Sequence, residues 1–480
     1  MNRKMVFKTV GLMLNVEAVL LLLPSIVALI YQESCIWSLL ASAAIALAAG
    51  MALTRLCRTE NQVIYAREGF AIVALAWVAV SAVGALPFYI SREIPAYIDA
   101  FFETVSGFTT TGASILANVE VMSRGLLFWR SFTHWVGGMG VLVFVMAIMP
   151  NVSDRSIHIL RAEMPGPVVG KLTPRNRDTA SALYKIYIVL TVLETILLAA
   201  GGMPLFESIV HAFGTAGTGG FGVKADSIAS YSPYLQWVIT VFMLLFGINF
   251  NLYFLLLIKR FKAALQSSEV WYYLGIVAAA VAIIALNILP LYETLEEAVR
   301  LSAFQVASII TTTGYATADF NLWPQFSKSI LLLLMMVGAC AGSTGGGLKV
   351  SRAVMLVKMI GKELKHLLHP RSVNTVRFEG KNVDGATLKN VSSYFAIYML
   401  CTFVIYLLLG IDGFDMETNM SATIACFNNI GPGLGAVGPV ANYAAYSGFS
   451  KLLLSIAMLM GRLEIFPMLL AFSPSTWRKK

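Results

Sequence analysis

The chain has 480 residues, of which 58% are hydrophobic and only 13% are charged. This composition excludes an ordinary soluble enzyme and predicts an all-α polytopic membrane protein. The formal net charge is +9, but 27 of the 35 lysines and arginines fall in segments that we predict to be cytoplasmic, so the charge indicates membrane topology rather than nucleic-acid binding.

Apolar runs of about 20 residues, long enough to cross a bilayer, occur ten times along the chain. They lie near residues 9–31, 35–54, 69–90, 126–149, 181–200, 235–258, 271–290, 329–358, 391–410 and 449–472. Because short basic segments stay in the cytoplasm, both termini are predicted to be cytoplasmic. We expect the basic segments to contact anionic membrane lipids as well.

A short phrase rich in threonine and glycine occurs four times, at intervals of roughly a hundred residues, and such self-similarity indicates one structural unit reused around an axis. The copies are Ser106-Gly-Phe-Thr-Thr-Thr-Gly112, Phe213-Gly-Thr-Ala-Gly-Thr-Gly219, Ser308-Ile-Ile-Thr-Thr-Thr-Gly314 and Cys426-Phe-Asn-Asn-Ile-Gly431. The predicted fold therefore has two extra N-terminal transmembrane helices and four non-identical helix–pore-loop–helix repeats around one central pore. These parts correspond to residues 1–66, 67–150, 151–258, 259–358 and 359–480.

Each phrase follows an apolar segment of about a dozen residues, which is too short to cross the membrane. We predict a re-entrant helix in each of these segments: 97–111, 205–218, 296–313 and 416–430. A helix of this kind directs its partially negative C-terminus toward the pore axis, which favours a cation there.

The glycine that closes each phrase is predicted to adopt a positive φ, so that successive carbonyl groups turn toward the axis. Carbonyl oxygens arranged in this way replace the hydration shell of a cation. The threonine hydroxyls either add ligands or brace the loops. The predicted ion-binding residues are Thr110, Thr111, Gly112, Thr218, Gly219, Thr312, Thr313, Gly314, Asn429, Ile430 and Gly431.

The apolar run at 329–358 is interrupted in a way that the other runs are not. Five glycines fall among the ten residues 338–347, and each costs a helix about 1 kcal/mol relative to alanine. We predict a gating loop at membrane depth, formed by Gly338, Gly342, Ser343, Thr344, Gly345, Gly346 and Gly347. Close helix packing through small residues is the alternative. A phosphate-binding loop is disfavoured, because the motif GxxxxGK[ST] after a strand is absent.

Arg462 lies inside the last apolar run, where a charged residue is a functional hypothesis by default. Its predicted acceptors are the carbonyls of the 338–347 loop, or a carboxylate such as Glu464 reached across another helix, and we predict that it takes part in the gate. The alternative is extension to the cytoplasmic face. Four further ionisable residues in apolar runs are considered: Arg130 and His134, which are predicted to brace a helix end, and Glu17 and Glu194, which receive no role.

The phrases together resemble the Trk/Ktr/HKT superfamily of cation transporters, and most closely its TrkH type. The matching segments are residues 109–114, 130–140, 217–221, 311–315, 341–351 and 428–435. The two helices at 9–54 favour the TrkH type over the shorter Ktr type. The second loop lacks the triple threonine of the first and third, so its hydroxyl contribution departs from the pattern.

The resemblance implies uptake of potassium across the bacterial cytoplasmic membrane, with K⁺ bound only at the filter residues and no covalent cofactor. Glycine in all four loops, including Gly112, is typical of relatives that prefer K⁺. The resemblance also implies a homodimer with one pore per subunit, and a cytosolic ring of nucleotide-binding regulatory subunits of the TrkA type. The basic segments 151–180 and 349–390 are the expected docking surfaces for that ring.

Two other classes of function are alternatives. An ion-coupled secondary transporter for K⁺ or Na⁺ would be consistent with a broken helix and internal repeats. Four filter-like loops argue against it, because alternating access requires only one binding site near the midplane. An intramembrane enzyme is disfavoured because no catalytic motif is present. The five cysteines form no CxxC pair, and we expect no structural metal site.

Overall fold

The computed structural model describes residues 2–59, 65–140, 176–372 and 374–477, and these ranges are predominantly helical. Their strands are β1 (Arg377–Phe378) and β2 (Lys381–Asn382), which pair antiparallel in one short hairpin. The prediction of an all-α membrane fold is confirmed. Residues 151–175 of the predicted cytoplasmic segment 151–180 and residues 141–149 of the predicted span 126–149 lie outside the described residues.

Three helices precede the repeats: α1 (Arg3–Leu20), α2 (Leu22–Ile30) and α3 (Ile36–Leu56). α1 and α2 together are long and apolar enough for one membrane span, and α3 for a second, so both predicted N-terminal spans are present. α1 packs along α3 at Gly11 and Gly50, where a Cβ on either glycine would meet the backbone carbonyl of the other. Small residues at this crossing allow the two helices to approach closely.

Repeats 1 and 2 each contain an outer helix, a short pore helix and an inner helix. Repeat 1 consists of α4 (Ala66–Gly84), its continuation α5 (Leu86–Ile90), the pore helix α6 (Tyr97–Phe108) and the inner helix α7 (Arg124–Gly138). Repeat 2 consists of α8 (Asn176–Ala200), the pore helix α9 (Leu205–Gly217) and an inner helix in two parts, α10 (Pro233–Phe246) and α11 (Phe250–Leu257).

Repeats 3 and 4 have the same plan. Repeat 3 consists of the short α12 (Phe261–Leu265), the outer helix α13 (Ser268–Ile288), the pore helix α14 (Leu295–Ile310), and an inner helix in two parts, α15 (Gln325–Val337) and α16 (Val350–Leu368). Repeat 4 consists of α17 (Gly385–Leu409), the pore helix α18 (Met416–Phe427), the inner-helix parts α19 (Gly448–Arg462) and α20 (Phe466–Phe472), and α21 (Pro474–Trp477). Short 3₁₀ turns lie at Val119–Val121, Leu289–Leu291, Phe320–Leu322, Gly410–Asp412 and Gly435–Val437.

The four repeats close into a ring. The inner helix of each repeat packs against the pore helix of the next: α7 against α9, α10 against α14, α15 against α18, and α19 back against α6. Every pore helix carries acid in its first turn, at Asp99, Glu207, Glu296 with Glu297, and Glu417. Negative side chains there stabilise the positive end of the helix dipole, and the negative ends meet inside the ring.

Six helical segments of the described residues are long and apolar enough to cross a membrane, and a seventh is counted if α10 and α11 form one span. These two helices meet at an angle of 89° around residues 247–249, whereas the sequence predicted one continuous helix over 235–258. The predicted span 449–472 is also broken, because Glu464 and Ile465 have positive φ values of 58° and 64°. The sequence predicted an interruption in repeat 3 alone, and this prediction is wrong, because the inner helices of repeats 2 and 4 are also broken. The break in repeat 3, residues 338–349, is the longest of these three.

Candidate functional site

All four pore helices end with the same backbone motif. The residue that follows each terminal turn is left-handed: Thr110, Thr218, Thr312 and Asn429, with φ between 54° and 58°. The next residue donates its N–H to the carbonyl five positions earlier, as in Thr111 to Ser106 and Thr313 to Ser308. This is the Schellman arrangement, which satisfies terminal carbonyls of a helix. It turns the chain sharply at the level where the four helices converge.

The glycine that lies two residues after each left-handed residue contacts the neighbouring loop. A Cβ on Gly112 would meet the carbonyl oxygen of Gly219, and one on Gly220 would meet that of Thr313. In the same way, a Cβ on Gly314 would meet the Ile430 carbonyl, and one on Gly431 would meet that of Thr111. The contacts run from loop 1 to loop 2, 3, 4 and back to loop 1. Each loop thus contributes one carbonyl oxygen at an equivalent level of a closed ring.

The second loop is shifted by one residue relative to the sequence prediction. Gly219 was expected to be the counterpart of Gly112, but the glycine with positive φ is Gly220, at 76°. Gly220 also lines the outer cavity together with Gly112, Gly314 and Gly431. Gly219 instead occupies the position of Thr111 and Thr313. The phrase Gly217-Thr-Gly-Gly220 therefore matches Thr109-Thr-Thr-Gly112 residue for residue, with one threonine in place of three.

The loop side chains brace the backbone. The hydroxyls of Thr109 and Thr111 lie 2.8 Å apart, as do those of Thr311 and Thr313. In loop 4, Asn429 donates to the Thr111 hydroxyl at 3.0 Å and so joins the fourth loop to the first. Of the two roles considered for the threonine hydroxyls, these contacts favour bracing for the third threonine of loops 1 and 3.

The glycine-rich segment of repeat 3 forms a loop beneath the ring. We call residues 338–349 the intramembrane loop. Its Gly346 N–H donates to the Thr312 hydroxyl at 2.6 Å, and a Cβ on Gly345 would meet the Thr311 carbonyl. The adjacent glycines therefore allow the loop to approach the ends of the pore helices directly. The alternative of close packing between two helices does not describe these contacts.

The intramembrane loop also contacts the break in repeat 2. The Cys340 N–H donates to the Gly247 carbonyl at 3.1 Å, and the Phe250 N–H donates to the Gly342 carbonyl at 3.0 Å. The Thr344 hydroxyl donates to the Phe246 carbonyl at 3.3 Å. The two interrupted inner helices thus supply hydrogen-bond partners for each other's free backbone groups, which have no water to bind at membrane depth.

Arg462 joins the intramembrane loop to repeat 1. Its guanidinium donates to the Thr344 carbonyl at 2.7 Å, to the Gly137 and Gly138 carbonyls at 2.6 Å each, and to the Thr110 hydroxyl at 3.2 Å. Gly137 and Gly138 end α7, and the C-terminus of a helix attracts a cation. Its acceptors include the loop carbonyl considered from the sequence, and these contacts favour that prediction over extension to the cytoplasmic face.

Three further charged residues hold this region and were missed by sequence reasoning. Arg352 makes a bidentate ion pair with Glu464, at 3.0 and 2.5 Å. The Lys349 ammonium donates to the Gly345 carbonyl. The Glu269 carboxylate accepts from the N–H groups of Ala341 in the loop and Ser351 in the first turn of α16, at 2.8 and 3.1 Å, and so ties the loop to that helix. Their position within or beside apolar runs was the available signal.

The family model TrkH, described as cation transport protein, matches residues 38–275 and 277–479. This chain belongs to the TrkH family. It is 37% identical to the Trk system potassium uptake protein TrkH of Salmonella typhimurium and 36% identical to that of Escherichia coli K12, over 100% of each chain. It also resembles the crystal structure of the potassium transporter TrkH from Vibrio parahaemolyticus, with a TM-score of 0.90, 33% identity and complete coverage of both chains.

Membership in the TrkH family confirms the resemblance inferred from the sequence phrases. The chain is therefore a multi-pass cation transport protein and not an enzyme. The similarity to the TrkH crystal structure extends over the N-terminal helices and all four repeats, because both chains are covered completely. The roles of individual filter and loop residues remain predictions.

The contact between loops 2 and 3 predicts different outcomes for Gly220 and for Gly222, two residues further along the chain. In Gly220→Ala, the new Cβ would displace the Thr313 carbonyl and strain the backbone by about 1–3 kcal/mol, so we expect cation flux into proteoliposomes to fall about tenfold or more. Gly222→Ala is the matched control, since its Cβ would make ordinary contact with His211 at 3.4 Å. Equal flux through both variants would contradict the placement of Gly220 at the contact with loop 3.

Proposed function

We propose that this protein mediates potassium uptake across the bacterial cytoplasmic membrane, with both termini in the cytoplasm, through a channel-like pore. The observation that carries the proposal is the closed ring of four loops, each presenting one carbonyl oxygen at the same level. Such oxygens replace the water around K⁺, and K⁺ held by the loop residues is the only ligand that we propose. The names of the Salmonella and Escherichia relatives support potassium as the cation.

A secondary transporter that couples two ions is the second candidate. Broken helices near the midplane favour it, and three inner helices are broken within the part of the chain that the structure describes. The ring of contacts between successive loops argues for the channel-like path, because it fixes all four loops around one axis. Alternating access would require the repeats on either side of a site to rock apart, which this ring opposes.

Serine at position 112 tests the filter. In Gly112→Ser, the Cβ would displace the Gly219 carbonyl, and a side chain at φ +79° would cost about 1–3 kcal/mol. We expect the preference for K⁺ over Na⁺ to fall about tenfold, measured by ion competition in proteoliposomes. The matched control is Gly202→Ser, which has φ +90° but no atom within 4 Å of its Cβ. A wild-type preference in Gly112→Ser would remove the filter assignment.

We also propose that the intramembrane loop and Arg462 together form the gate. Their contacts reach every repeat: Thr110 and the end of α7 in repeat 1, the 247–250 break in repeat 2, Thr312 in repeat 3, and Asn428, whose carbonyl a Cβ on Gly346 would meet, in repeat 4. Because the intramembrane loop and Arg462 contact all four repeats directly below the ring, they lie across the proposed ion path. The guanidinium adds an electrostatic barrier to K⁺ in a cavity of low dielectric constant.

The gate is weak enough to be opened by a bound partner. A hydrogen bond from a charged donor contributes about 1.5–3 kcal/mol, and one such bond joins Arg462 to the loop. We propose that the partner is a cytosolic ring of nucleotide-binding regulatory subunits of the TrkA type. The exposed basic residues Lys365, Arg371, Arg377 and Lys381, which lie on or near α16 and the hairpin, support docking there. The Trk system in the relatives' names supports a multi-component assembly.

Loss of the gate should raise flux when no partner is present. Arg462→Ala removes the charged hydrogen bond to the loop together with the other contacts of the guanidinium. This variant, or deletion of residues 343–346, is expected to increase K⁺ flux into proteoliposomes at least about tenfold. The control is Lys451→Met, which removes a cation from the outer end of the same helix. If both variants fold, insert and show wild-type or lower flux, the loop is a packing element and the gate lies elsewhere.

We further propose that the protein is a homodimer with one pore per subunit, held together by membrane helices. Exposed apolar side chains on α16, among them Val357, Ile360 and Leu364, support an apolar contact with a second copy or with lipid. Mass measurement in detergent and cross-linking in liposomes are expected to give a species of two chains. A fully active monomer in liposomes would overturn the dimer.

A further inference from the structure

The four pore helices carry different residues at one buried position behind the ring. Counting nine residues back from Gly112, Gly220, Gly314 and Gly431 gives Glu103, His211, Gln305 and Ala422. All four are buried. In the part of the chain that the structure describes, the Gln305 amide makes no hydrogen bond, and neither does the Nε2 atom of His211. Repeat 1 alone has an acid at this position.

Glu103 holds the outer exit of the first loop. One carboxylate oxygen accepts from the Ser114 hydroxyl at 3.0 Å, and the other accepts from the Ile115 N–H at 3.0 Å. Ser114 and Ile115 follow Gly112 by two and three residues. The carboxylate therefore fixes the chain where it leaves the ring, and hydrogen bonds to an ionised acceptor are stronger than those between neutral groups.

Arg130 connects Glu103 to the second loop. Its Nε donates to the carboxylate at 2.6 Å, and its Nη1 donates to the Gly222 carbonyl at 3.3 Å. The guanidinium carbon lies 3.4 Å from the centre of the Phe221 ring. The exit of loop 1 and the exit of loop 2 are thus tied to one buried ion pair, whose arginine also lines the outer cavity with the ring glycines.

His134 supports the same loop one helical turn away. Its ring lies 4.1 Å from the Phe221 ring, and its Nδ1 is 2.7 Å from the Gly107 carbonyl. A Cβ on Gly219 would meet the imidazole. Phe221 is therefore held between Arg130 and His134, and the carbonyl of Gly219 can move little. The expected bracing by Arg130 and His134 applies to two filter loops rather than to a helix end.

We propose that Glu103 and Arg130 are positioning residues that set the ion preference of the ring by fixing the spacing between loops 1 and 2. This inference rests on the filter function proposed above. The other ion pairs described on pore helices lie at the outer, N-terminal ends: Lys451 with Asp99, Arg300 with Glu296, and Lys328 with Glu417. Glu103 and Arg130, whose side chains are 0% and 5% exposed, form the pair at the level of the ring.

The geometry predicts that weakening the Glu103–Arg130 ion pair changes the preference for K⁺ over Na⁺ more than it changes the maximal transport rate. The carbonyl of Gly219 lies against Gly112, so a small shift between the two loop exits alters the distance between two of the four equivalent carbonyls. K⁺ and Na⁺ differ in the oxygen spacing that they require, and a loosened ring accommodates the smaller ion better. Arginine matters for its planar fork, which binds the carboxylate and Gly222 together, whereas lysine keeps only the charge.

The test uses the full-length protein in proteoliposomes. Glu103→Gln keeps the shape of the side chain and removes its charge; Arg130→Gln removes the cation, and Arg130→Lys retains it. We expect Glu103→Gln and Arg130→Gln to lower the preference for K⁺ over Na⁺ about tenfold with a smaller change in the maximal rate per folded protein, and Arg130→Lys to recover part of the preference. The control variants, Asp99→Asn at the outer end of the same pore helix and Lys451→Met in its partner on α19, should keep the wild-type preference.

The outcomes separate this inference from the filter itself. If the variants fold and lose only maximal rate, with an unchanged ion preference, the pair is a structural brace and the inference is overturned, while a response of Gly112→Ser would leave the filter intact. If neither Gly112→Ser nor the pair variants change the preference, the filter assignment fails. Should Arg130→Gln not fold, Glu103→Gln and Arg130→Lys decide the question by the same measurement.

Discussion

The arrangement depends on four helices that end inside the membrane. The last carbonyls of a helix have no partner within it, and the bilayer core offers no water. The left-handed residue after each pore helix lets the following N–H groups return to those carbonyls, and the chain then turns toward the axis. Glycine follows because the carbonyl of the next loop occupies the space where a Cβ would lie. The same contact that excludes a side chain therefore holds the neighbouring carbonyl in the ring, so the backbone conformation of one loop determines the position of the next.

The ring is closed by unequal parts. Loops 1 and 3 are braced by paired threonine hydroxyls, loop 2 rests on His134, and loop 4 uses Asn429, which reaches loop 1. Loops in a ring of four identical subunits would share one support and respond alike to strain. In this chain the supports differ in chemistry, and a carboxylate paired with an arginine stands behind the first loop. Since the loops determine one another through their glycine contacts, a change in one support is transmitted around the ring with unequal effect.

Much of this architecture could be predicted from the sequence, because it depends on patterns of residues that are close together in the chain. The four phrases, the short apolar segments before them and the glycine-rich break each follow from residues adjacent in the chain. The register of loop 2 could not be predicted in this way: Gly219 and Gly220 are adjacent, and only the end of α9 at Gly217 decides which one takes the positive φ. The breaks at 247–249 and 463–465 lie in ordinary apolar runs. They are stabilised by distant partners, such as Gly342 for Phe250 and Arg352 for Glu464, whose proximity no local pattern encodes.

Arg462 makes the ring and the intramembrane loop mechanically dependent on each other. One of its amino groups, Nη1, donates both to the Thr110 hydroxyl in the first loop of the ring and to the Thr344 carbonyl in the intramembrane loop. The other holds the carbonyls that end α7, the helix that also carries Arg130 and His134. Movement of the loop removes one acceptor from the guanidinium, and a partly buried cation must then bind its remaining acceptors more closely or find another. Its remaining acceptors include the Thr110 hydroxyl in the first loop and the carbonyls that end α7. If the loop opens as proposed above, Arg462 is expected to transmit that movement to the first and second loops of the ring.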